Sequence, residues 1–327
     1  MSECAGIKVG SMNTAIALRN GDGIETKTTR TCVRYPKDLS GKELSPVVGE
    51  PASLFADAQF PLNLGLVETD EGIRHTKDIL ASFDIPQGMN IILAAPAVEI
   101  AKGEKRLAQA VKEVCLPTKI RMFSECLASA VAVLNDPKLI LDSAFFSINL
   151  GSSTTEFGCF NSGTKEHLSA HSETSGNRVD HAIRSRIERS VGDSMFSLHD
   201  IQIMKESSSL KSPKTFKVPG FSRHGKIEKD VCEEIIIPLQ EYANGVASFV
   251  ADEIYSNVQP RVRKLALDEP IIISGGMANI EGLPELIIEK LSERTKCRIE
   301  FKSSGTNNHI APAIGALLLC EEIMKED

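Results

Sequence analysis

The sequence predicts a mixed α/β protein with two domains. Two domains are expected because 327 residues exceed what one hydrophobic core usually organises, a typical domain holding roughly 150 residues. Strand and helix patterns alternate along the chain, which indicates helices packed over largely parallel sheets. Two similar glycine-containing segments, 141 positions apart, suggest that the two halves are built alike.

Composition narrows the possible functions. The chain is 42% apolar and 25% charged, as is usual for a soluble globular protein. Its net charge of -7 argues against nucleic acid as a partner, because binding the phosphate backbone needs clustered positive charge. The 8 cysteines form no C-x-x-C pair, and no apolar run is long enough to span a membrane. We therefore expect a cytoplasmic protein with reduced cysteines and no direct membrane insertion.

The two similar segments are residues 8–14 and 149–155, which both read x-(Val/Leu)-Gly-Ser-x-x-Thr between strand-like stretches. Each is predicted to be a β-hairpin with a tip of small residues, where consecutive backbone N–H groups can surround a phosphate. The alternative is two unrelated tight turns. The residues of the phosphate-binding hypothesis are Gly10, Ser11, Met12, Asn13, Gly151, Ser152, Ser153 and Thr154.

A third glycine segment lies late in the chain. Residues 270–279 combine a β-branched run with Gly275, Gly276 and Met277, and a helical pattern follows over 283–294. A strand, a glycine turn and a helix in this order allow a nucleotide to lie against bare backbone and helix-end N–H groups. A simple tight turn is the alternative for this segment.

The remaining patterns place the other elements. The segment 27–66 is predicted to be a strand-rich and turn-rich inserted subdomain, and 310–320 a buried helix. His167 and His171 share one face of a strand, but without cysteine or carboxylate partners no metal site is expected. Strands are predicted at 91–95 and 120–123, and helices at 99–115, 125–134, 178–191 and 233–257, the last broken or preceded by Pro238.

The three glycine segments and the Ala-rich helix that begins at Glu125 resemble the actin, heat-shock-70 and sugar-kinase superfamily along essentially the whole chain. Length favours the bacterial actins. The stretches 35–38, 60–62, 175–180 and 204–206 are similar to MamK-like magnetosome actins, with MreB as a more distant relative. The resemblance implies an actin-like (ribonuclease H-like) two-domain fold with a nucleotide cleft between the domains and two small subdomains.

The resemblance also sets the expected domain bounds. Residues 1–146 would form domain I, with a subdomain insertion at about 27–66. Residues 147–309 would form domain II, with an outer subdomain at about 177–264, and a C-terminal helix over 310–327 would return to domain I. The two hairpins would then face each other and grip a polyphosphate.

Two positions depart from the family pattern. The family has an aspartate two residues before each loop glycine, whereas this chain has Lys8 and Asn149. Those aspartates hold the hydration shell of Mg²⁺, but lysine offers only donors and asparagine lacks the charge. Either the Lys8 ammonium lies against a phosphate, or Lys8 points to solvent beside an empty or vestigial cleft. ATP or ADP is the implied ligand, whereas bound Mg²⁺ is not expected.

The resemblance assigns roles to further residues. Glu125 matches the carboxylate that orients the hydrolytic water. Without a metal to neutralise charge on the phosphates, slow or absent ATPase activity is expected. Arg178 lies in a segment that matches the part of the family fold that approaches the ribose and phosphates. The alternative is that this segment is a solvated helix face. The other nucleotide-binding residues that the resemblance implies are Gly176, Asn177, Asp180, Lys205, Glu206, Gly275, Gly276 and Met277.

Self-assembly follows from the same resemblance, since head-to-tail contacts that do not close produce a filament. The expected function is a cytoskeletal filament that acts as a scaffold to organise or position an organelle such as the magnetosome. An organelle adaptor or another actin-like protein would be a further partner. The alternative is a non-polymerising pseudo-ATPase that regulates or scaffolds a genuine actin-like partner. An active MamK-like ATPase is the third hypothesis, which Lys8 and Asn149 disfavour.

Overall fold

The chain folds into two five-stranded sheets with helices on their faces, as seen in a computed structural model. The structure describes residues 3–98, 105–135, 137, 143–162, 164–191, 196–222 and 225–326. The strands are β1 (Cys4–Val9), β2 (Asn13–Asn20), β3 (Gly23–Arg30), β4 (Val33–Arg34), β5 (Val47–Val48), β6 (Asn90–Ala95), β7 (Lys119–Ser124), β8 (Ala144–Leu150), β9 (Thr155–Asn161), β10 (Thr164–His171), β11 (Lys217–Ser222), β12 (Gly225–Asp230), β13 (Ile271–Ser274) and β14 (Phe301–Lys302).

Helices lie between these strands, and short 3-10 helices cover Gly276–Asn279 and Gly305–Asn307. Side-chain caps mark several helix starts; for example, the Ser124 hydroxyl accepts the backbone N–H of Leu127. The α-helices are α1 (Glu50–Ser53), α2 (Asp70–Ala81), α3 (Arg106–Cys115), α4 (Glu125–Leu134), α5 (Gly176–Val191), α6 (Leu198–Glu206), α7 (Cys232–Asn257), α8 (Pro260–Leu267), α9 (Leu283–Thr295) and α10 (Ala311–Glu326).

The two sheets have the same construction. Their strand orders are β3-β2-β1-β6-β7 and β10-β9-β8-β13-β14. In each sheet three consecutive strands form an antiparallel meander, and the other two strands add in parallel. The expectation of largely parallel sheets is therefore wrong. The short hairpin connections that hold the glycine tips force their flanking strands to be antiparallel.

Most predicted elements are present, with two corrections. The helix predicted over 99–115 is observed as α3, and residues 99–104 lie outside the described residues. Segment 27–66 is turn-rich but poor in strands, because glycines with positive φ at Gly41, Gly49 and Gly65 interrupt it. Helix α7 runs unbroken through the buried Pro238, which removes a single backbone hydrogen bond near the helix start.

Helices α4 and α10 form a layer between the two sheets. Helix α10 packs on β1, β2 and β6, whereas α4 packs on β8, β9 and β13, and the two helices pack against each other. Their shared hydrophobic cluster includes Ile92 from the first sheet and Phe145 and Phe160 from the second. The C-terminal helix therefore returns to the first sheet, as predicted.

Glycine allows this layer to be thin. A Cβ on Gly315 of α10 would lie 1.6 Å from the carbonyl oxygen of Ala128 in α4. A Cβ on Gly6 of β1 would lie 2.0 Å from the carbonyl oxygen of Ala313. Backbone therefore contacts backbone at both crossings, and no side chain fits between the elements.

We expect Gly315→Ala to destabilise the fold. The added methyl group must push α10 away from α4, and the lost packing should lower the free energy of unfolding by about 1–3 kcal/mol. This loss outweighs the gain in helix propensity of about 1 kcal/mol. Urea denaturation measures the change. Gly23→Ala is the matched control, because its Cβ would make only an ordinary contact of 3.5 Å, and equal destabilisation of both variants would contradict the prediction.

Candidate functional site

The tips of the two hairpins close in the same way. The backbone N–H of Gly10 donates to the carbonyl of Asn13 at 3.1 Å, and that of Gly151 donates to the carbonyl of Thr154 at 3.0 Å. A Cβ on Gly151 would lie 2.6 Å from the Thr154 carbonyl oxygen, so the turn requires glycine there. The sequence repeat is thus a structural repeat, with one tip on each sheet.

Helix α5 holds the second tip in place. The first N–H groups of this helix, at Gly176 and Asn177, donate to the carbonyls of Gly151 at 3.0 Å and Ser152 at 2.7 Å. These groups would otherwise lack partners at a helix start. The Asn177 backbone therefore fixes the loop. Arg178 is exposed and forms an ion pair with Glu173 at 2.9 Å, which agrees with a solvated helix face at this position.

The third glycine segment lies against the second hairpin. Gly275 has φ of 92°, and a Cβ there would lie 2.4 Å from the Leu150 carbonyl oxygen and 2.6 Å from Oδ1 of Asn149. Only glycine satisfies both constraints. Gly276 has open space where a side chain would be, so its backbone is bare towards the cleft.

The three glycine segments line one cleft between the two sheets, together with Glu125 and parts of α5 and α6. Five predicted residues belong to the loops or to α5 without lining the cleft: Gly10, Ser11, Ser153, Thr154 and Asn177. The predicted residues that line it are Lys8, Met12, Asn13, Glu125, Asn149, Gly151, Ser152, Gly176, Asp180, Lys205, Glu206, Gly275, Gly276 and Met277.

Three further residues line the cleft and were not predicted: Gln202, Ile280 and His309. Gln202 precedes Lys205 and Glu206 by about one helical turn, so helical periodicity could have found it. Ile280 follows directly after the 3-10 helix of the third glycine segment. His309 comes from the connection before α10, and nothing in its neighbouring residues indicates a role in the site.

Lys8 points into the cleft. Its ammonium donates to the carbonyl of Asn13 at 3.2 Å, so the side chain folds back over the first tip. Burial raises the pKa of Glu125 and lowers that of His309; the Lys8 ammonium opposes the first shift and adds to the second, so its charge acts on both residues. The solvent-facing orientation that was one hypothesis for Lys8 is therefore wrong.

Asn149 and Glu125 are hydrogen-bonded to each other. The Asn149 side-chain N–H donates to Oε2 of Glu125 at 2.8 Å, and both residues are buried. Oδ1 of Asn149 accepts no hydrogen bond from the described residues. Burial raises the pKa of Glu125, and the Lys8 ammonium and the Asn149 amide oppose that shift. One oxygen of the predicted water-orienting carboxylate is thus already occupied by an amide donor.

A second buried carboxyl group, that of Glu156, lies beside this pair. Glu156 is directly opposite Asn149 in the β8–β9 register, and its Oε1 accepts the backbone N–H of Ala97 at 3.0 Å. Burial, and then the charge of Glu125, raise the pKa of Glu156 to about 8. At neutral pH this carboxyl group is therefore mostly protonated, and it connects the second sheet to the segment after β6.

A buried ion pair forms part of the opposite wall. The Lys205 ammonium lies 2.6 Å from Oδ1 of Asp180 and donates to the Gly176 carbonyl at 3.4 Å. The Gln202 side-chain N–H donates to the other oxygen of Asp180 at 3.3 Å. The charges of Lys205 and Asp180 largely cancel. The Lys8 ammonium also lines the cleft, but it forms no ion pair of this kind with a carboxylate among the described residues.

The cleft is also bridged near its mouth. Arg30, at the end of β3, donates to Oε1 of Gln202 at 2.9 Å and to Glu50 at 3.0 Å. A ring nitrogen of His199 on α6 lies 3.3 Å from the same guanidinium group. The Gln202 side chain therefore takes part both in a contact between the two halves of the chain and in the wall of the cleft.

The described ranges contain no candidate for a metal site or a membrane span. In that part of the chain, no group of three or more His, Cys, Asp or Glu side chains is placed to hold a metal ion. His167 instead pairs with Glu253 at 2.6 Å. None of the described helices is both long enough and apolar enough to cross a membrane. The cysteines are all free, and most are buried.

A family model described as Salactin matches residues 2–324. This chain belongs to the Salactin family. Salactin of Halobacterium salinarum is 24% identical over 335 residues, which cover 98% of this chain and 91% of that protein. The similarity thus extends over both sheets, all three glycine segments and α10.

Solved structures show that this Salactin-family chain has the actin-like fold. A MamK double helical filament superposes with a TM-score of 0.78 and 19% identity, covering 98% of each chain. MreB5 of Spiroplasma citri bound to ADP superposes with a TM-score of 0.77 and 17% identity, covering 99% of each chain. The predicted two-domain, actin-like architecture is confirmed.

The buried Glu156 predicts a stability that depends on pH. Its pKa is raised from the usual 4.5 to about 8, so the folded state keeps a proton that the unfolded chain releases at neutral pH. The stabilising contribution is complete below the unfolded pKa and is lost as the pH rises through the folded pKa. We expect the free energy of unfolding to fall, by at most about 4 kcal/mol, between about pH 5 and pH 9.

Glu156→Gln should make that fall smaller, because glutamine does not titrate and only the buried Glu125 of this pair would remain to do so. Denaturant unfolding at a series of pH values measures it for both proteins. The matched control is Glu166→Gln on the neighbouring strand β10, an exposed position that should leave the pH dependence unchanged. An equally steep fall in the Glu156→Gln variant would contradict the assignment.

Proposed function

We propose that this protein assembles into an actin-like filament that serves as a cytoplasmic scaffold, and that it binds ATP or ADP in the cleft with little need for Mg²⁺ and slow or absent hydrolysis. Membership of an actin-like family supports assembly. The single observation behind the nucleotide proposal is the Lys8 ammonium, which lies inside the cleft where related actins are expected to have a carboxylate.

The cleft fits a nucleotide. The closed hairpin tips bring two short loops to one cavity, and backbone N–H groups in such loops bind phosphate well. The bare backbone at Gly276 and the apolar side chains of Met277 and Ile280 suit a nucleoside. Oδ1 of Asn149 is a buried acceptor that a ligand hydroxyl or a water molecule would satisfy. The ADP in the MreB5 structure supports the same ligand class.

The same cleft does not fit Mg²⁺ at the family position. A dication prefers carboxylate oxygens and their ordered waters, whereas Lys8 brings a positive charge to this place. The Asn149 amide is committed to Glu125. We infer that the Lys8 ammonium supplies part of the charge compensation that a metal would otherwise provide to the phosphates.

Hydrolysis is weakened for a related reason. Glu125 could accept a proton from an attacking water, but its Oε2 already accepts the Asn149 amide N–H. Enzymes lower the barrier to phosphoryl transfer mostly by positioning the reactants and by placing positive charge around the phosphates. A single ammonium is a poor substitute, so slow or absent turnover is expected.

Restoring both aspartates should restore metal dependence. We expect wild-type protein to bind ATP with similar affinity in Mg²⁺ and in EDTA. The double variant Lys8→Asp/Asn149→Asp should bind ATP at least roughly tenfold more tightly with Mg²⁺ than without it. Lys8→Met is the matched control, which should weaken binding under both conditions. Calorimetry and a phosphate-release assay measure these effects. Wild-type protein that fails to bind nucleotide with or without metal would refute the nucleotide proposal.

Exposed apolar side chains indicate where subunits could meet. Six of the ten large hydrophobic residues exposed in the described ranges lie within residues 39–64. They are Leu39, Leu44, Leu54, Phe55, Phe60 and Leu64. A cluster of this kind on a globular surface is typical of a protein-binding face. If 39–64 meets a different face of the next subunit, the contact is heterologous and open-ended, as a filament requires.

Disrupting this cluster should reduce assembly without unfolding the protein. We expect Leu39→Ser/Phe55→Ser to raise the critical concentration for assembly by roughly tenfold or more, because each lost apolar contact costs about 1–2 kcal/mol. Sedimentation and negative-stain electron microscopy, with and without ATP, measure it. Leu116→Ser removes an exposed leucine side chain elsewhere and should assemble normally. If wild-type protein stays monomeric in all conditions, this result would instead support the alternative function, the regulation of another actin-like protein.

The cellular role proposed for the filament is to organise or position an organelle, with magnetosomes as one case. The support is the resemblance of this chain to MamK-like actins. A partner in this role would be an organelle adaptor or a second actin-like protein. Fluorescence imaging of the tagged protein in its own cells tests the proposal, because diffuse protein or filaments unrelated to any organelle would argue against it.

A further inference from the structure

His309 lines the cleft, and its ring is held by an ordered set of hydrogen bonds. The backbone N–H of Asn308 donates to Oδ1 of Asn279 at 3.2 Å. This bond fixes the orientation of the Asn279 amide, so its nitrogen faces His309. Nδ1 of His309 lies 3.2 Å from that nitrogen and must therefore accept its N–H.

This arrangement selects one tautomer of the ring. Because Nδ1 accepts, the ring proton of neutral His309 must be on Nε2. Nε2 has no hydrogen-bond partner among the described residues, and it is not sealed in the interior. The ring therefore offers one unused N–H donor at the cleft.

The surroundings keep the ring neutral. Burial, and then the Lys8 ammonium on β1, lower the pKa of His309. Among the described residues, Lys8 is the charged group that shifts the pKa of this ring. Asn279, the hydrogen-bond partner of the ring on the 3-10 helix, is uncharged. A neutral imidazole beside an ammonium adds a donor without adding like-charge repulsion, which suits an anionic ligand.

The charge balance of the cleft shows why another donor matters. Its lining contains two ammonium groups and three carboxyl groups, and one ammonium, that of Lys205, is paired with Asp180. A polyphosphate therefore meets little net positive charge and depends on hydrogen-bond donors for its affinity. Lys8 and His309 lie together at the end of the cleft formed by the first tip and the segment before α10.

We propose that His309 is a phosphate-binding residue of this cleft, whose Nε2–H donates to the polyphosphate of a nucleoside di- or triphosphate beside the Lys8 ammonium. Asn279 is the positioning residue that holds the donating tautomer. The proposal rests on the nucleotide binding proposed above. It assigns a phosphate contact to a residue that belongs to none of the three glycine segments.

Two substitutions separate the two ring nitrogens. The amide nitrogen of glutamine can occupy the place of Nε2, whereas asparagine reaches only as far as Nδ1. We expect His309→Asn to weaken ATP and ADP binding roughly tenfold and His309→Gln to retain most of the affinity, since a hydrogen bond to a charged group is worth about 1.5–3 kcal/mol. Adenosine, which lacks phosphate, should bind all three proteins equally. Calorimetry in EDTA measures these affinities.

A separate readout tests the role of Asn279. The ¹⁵N chemical shifts of His309 in the full-length protein should report a proton on Nε2, and Asn279→Leu should yield a mixture of tautomers with weaker ADP binding. Unchanged ATP affinity in His309→Asn, or an equal loss for adenosine, would overturn the assignment while leaving nucleotide binding intact. Absence of any nucleotide binding by wild-type protein would refute the proposed function itself, and this inference with it.

Discussion

The backbone contact between α4 and α10 is the constraint on which the rest of the structure depends. At Gly315 and Gly6 the elements approach so closely that no side chain fits between them. The two sheets are therefore joined through one thin layer of helices, and each sheet directs its hairpin tip towards the same cleft. A thicker layer would separate the tips and leave the cleft too wide for both to contact one ligand. Close packing of small residues thus sets the dimensions of the site.

The cleft has an unusual electrostatic arrangement for its fold. A lysine lies where a carboxylate is expected, and the neighbouring Asn149 holds Glu125 through a hydrogen bond. A second carboxyl group, Glu156, is buried, and burial together with the charge of Glu125 raises its pKa, which favours its neutral form. These features reduce the negative charge near the phosphate position, which favours an anionic ligand and disfavours a bound dication. Under the proposed function, the same chemistry that would admit a nucleotide without metal would also weaken the cleft as a hydrolytic site.

The two halves of the chain also contact each other directly at two depths. Glu156 reaches the backbone of Ala97 at the cleft floor, and Arg30 reaches Gln202 near the mouth. Gln202 in turn bonds Asp180 on the cleft wall. A change in cleft width would alter the Arg30 and Asp180 contacts together, because both use the Gln202 side chain. The Gln202 side chain therefore joins a contact between the two halves of the chain to the wall of the cleft.

The sequence by itself determined the glycine tips, the strand and helix around each, and 14 of the residues that line the cleft, because these depend on local patterns and on motifs shared by a superfamily. Tertiary structure decided the direction of Lys8 and the environments of Glu156 and His309. Glu156 appears in the sequence as an ordinary strand residue, and His309 lies 301 positions after Lys8. Their environments arise only when distant segments meet, since burial and neighbouring charge set the pKa and the hydrogen-bonding state of a side chain.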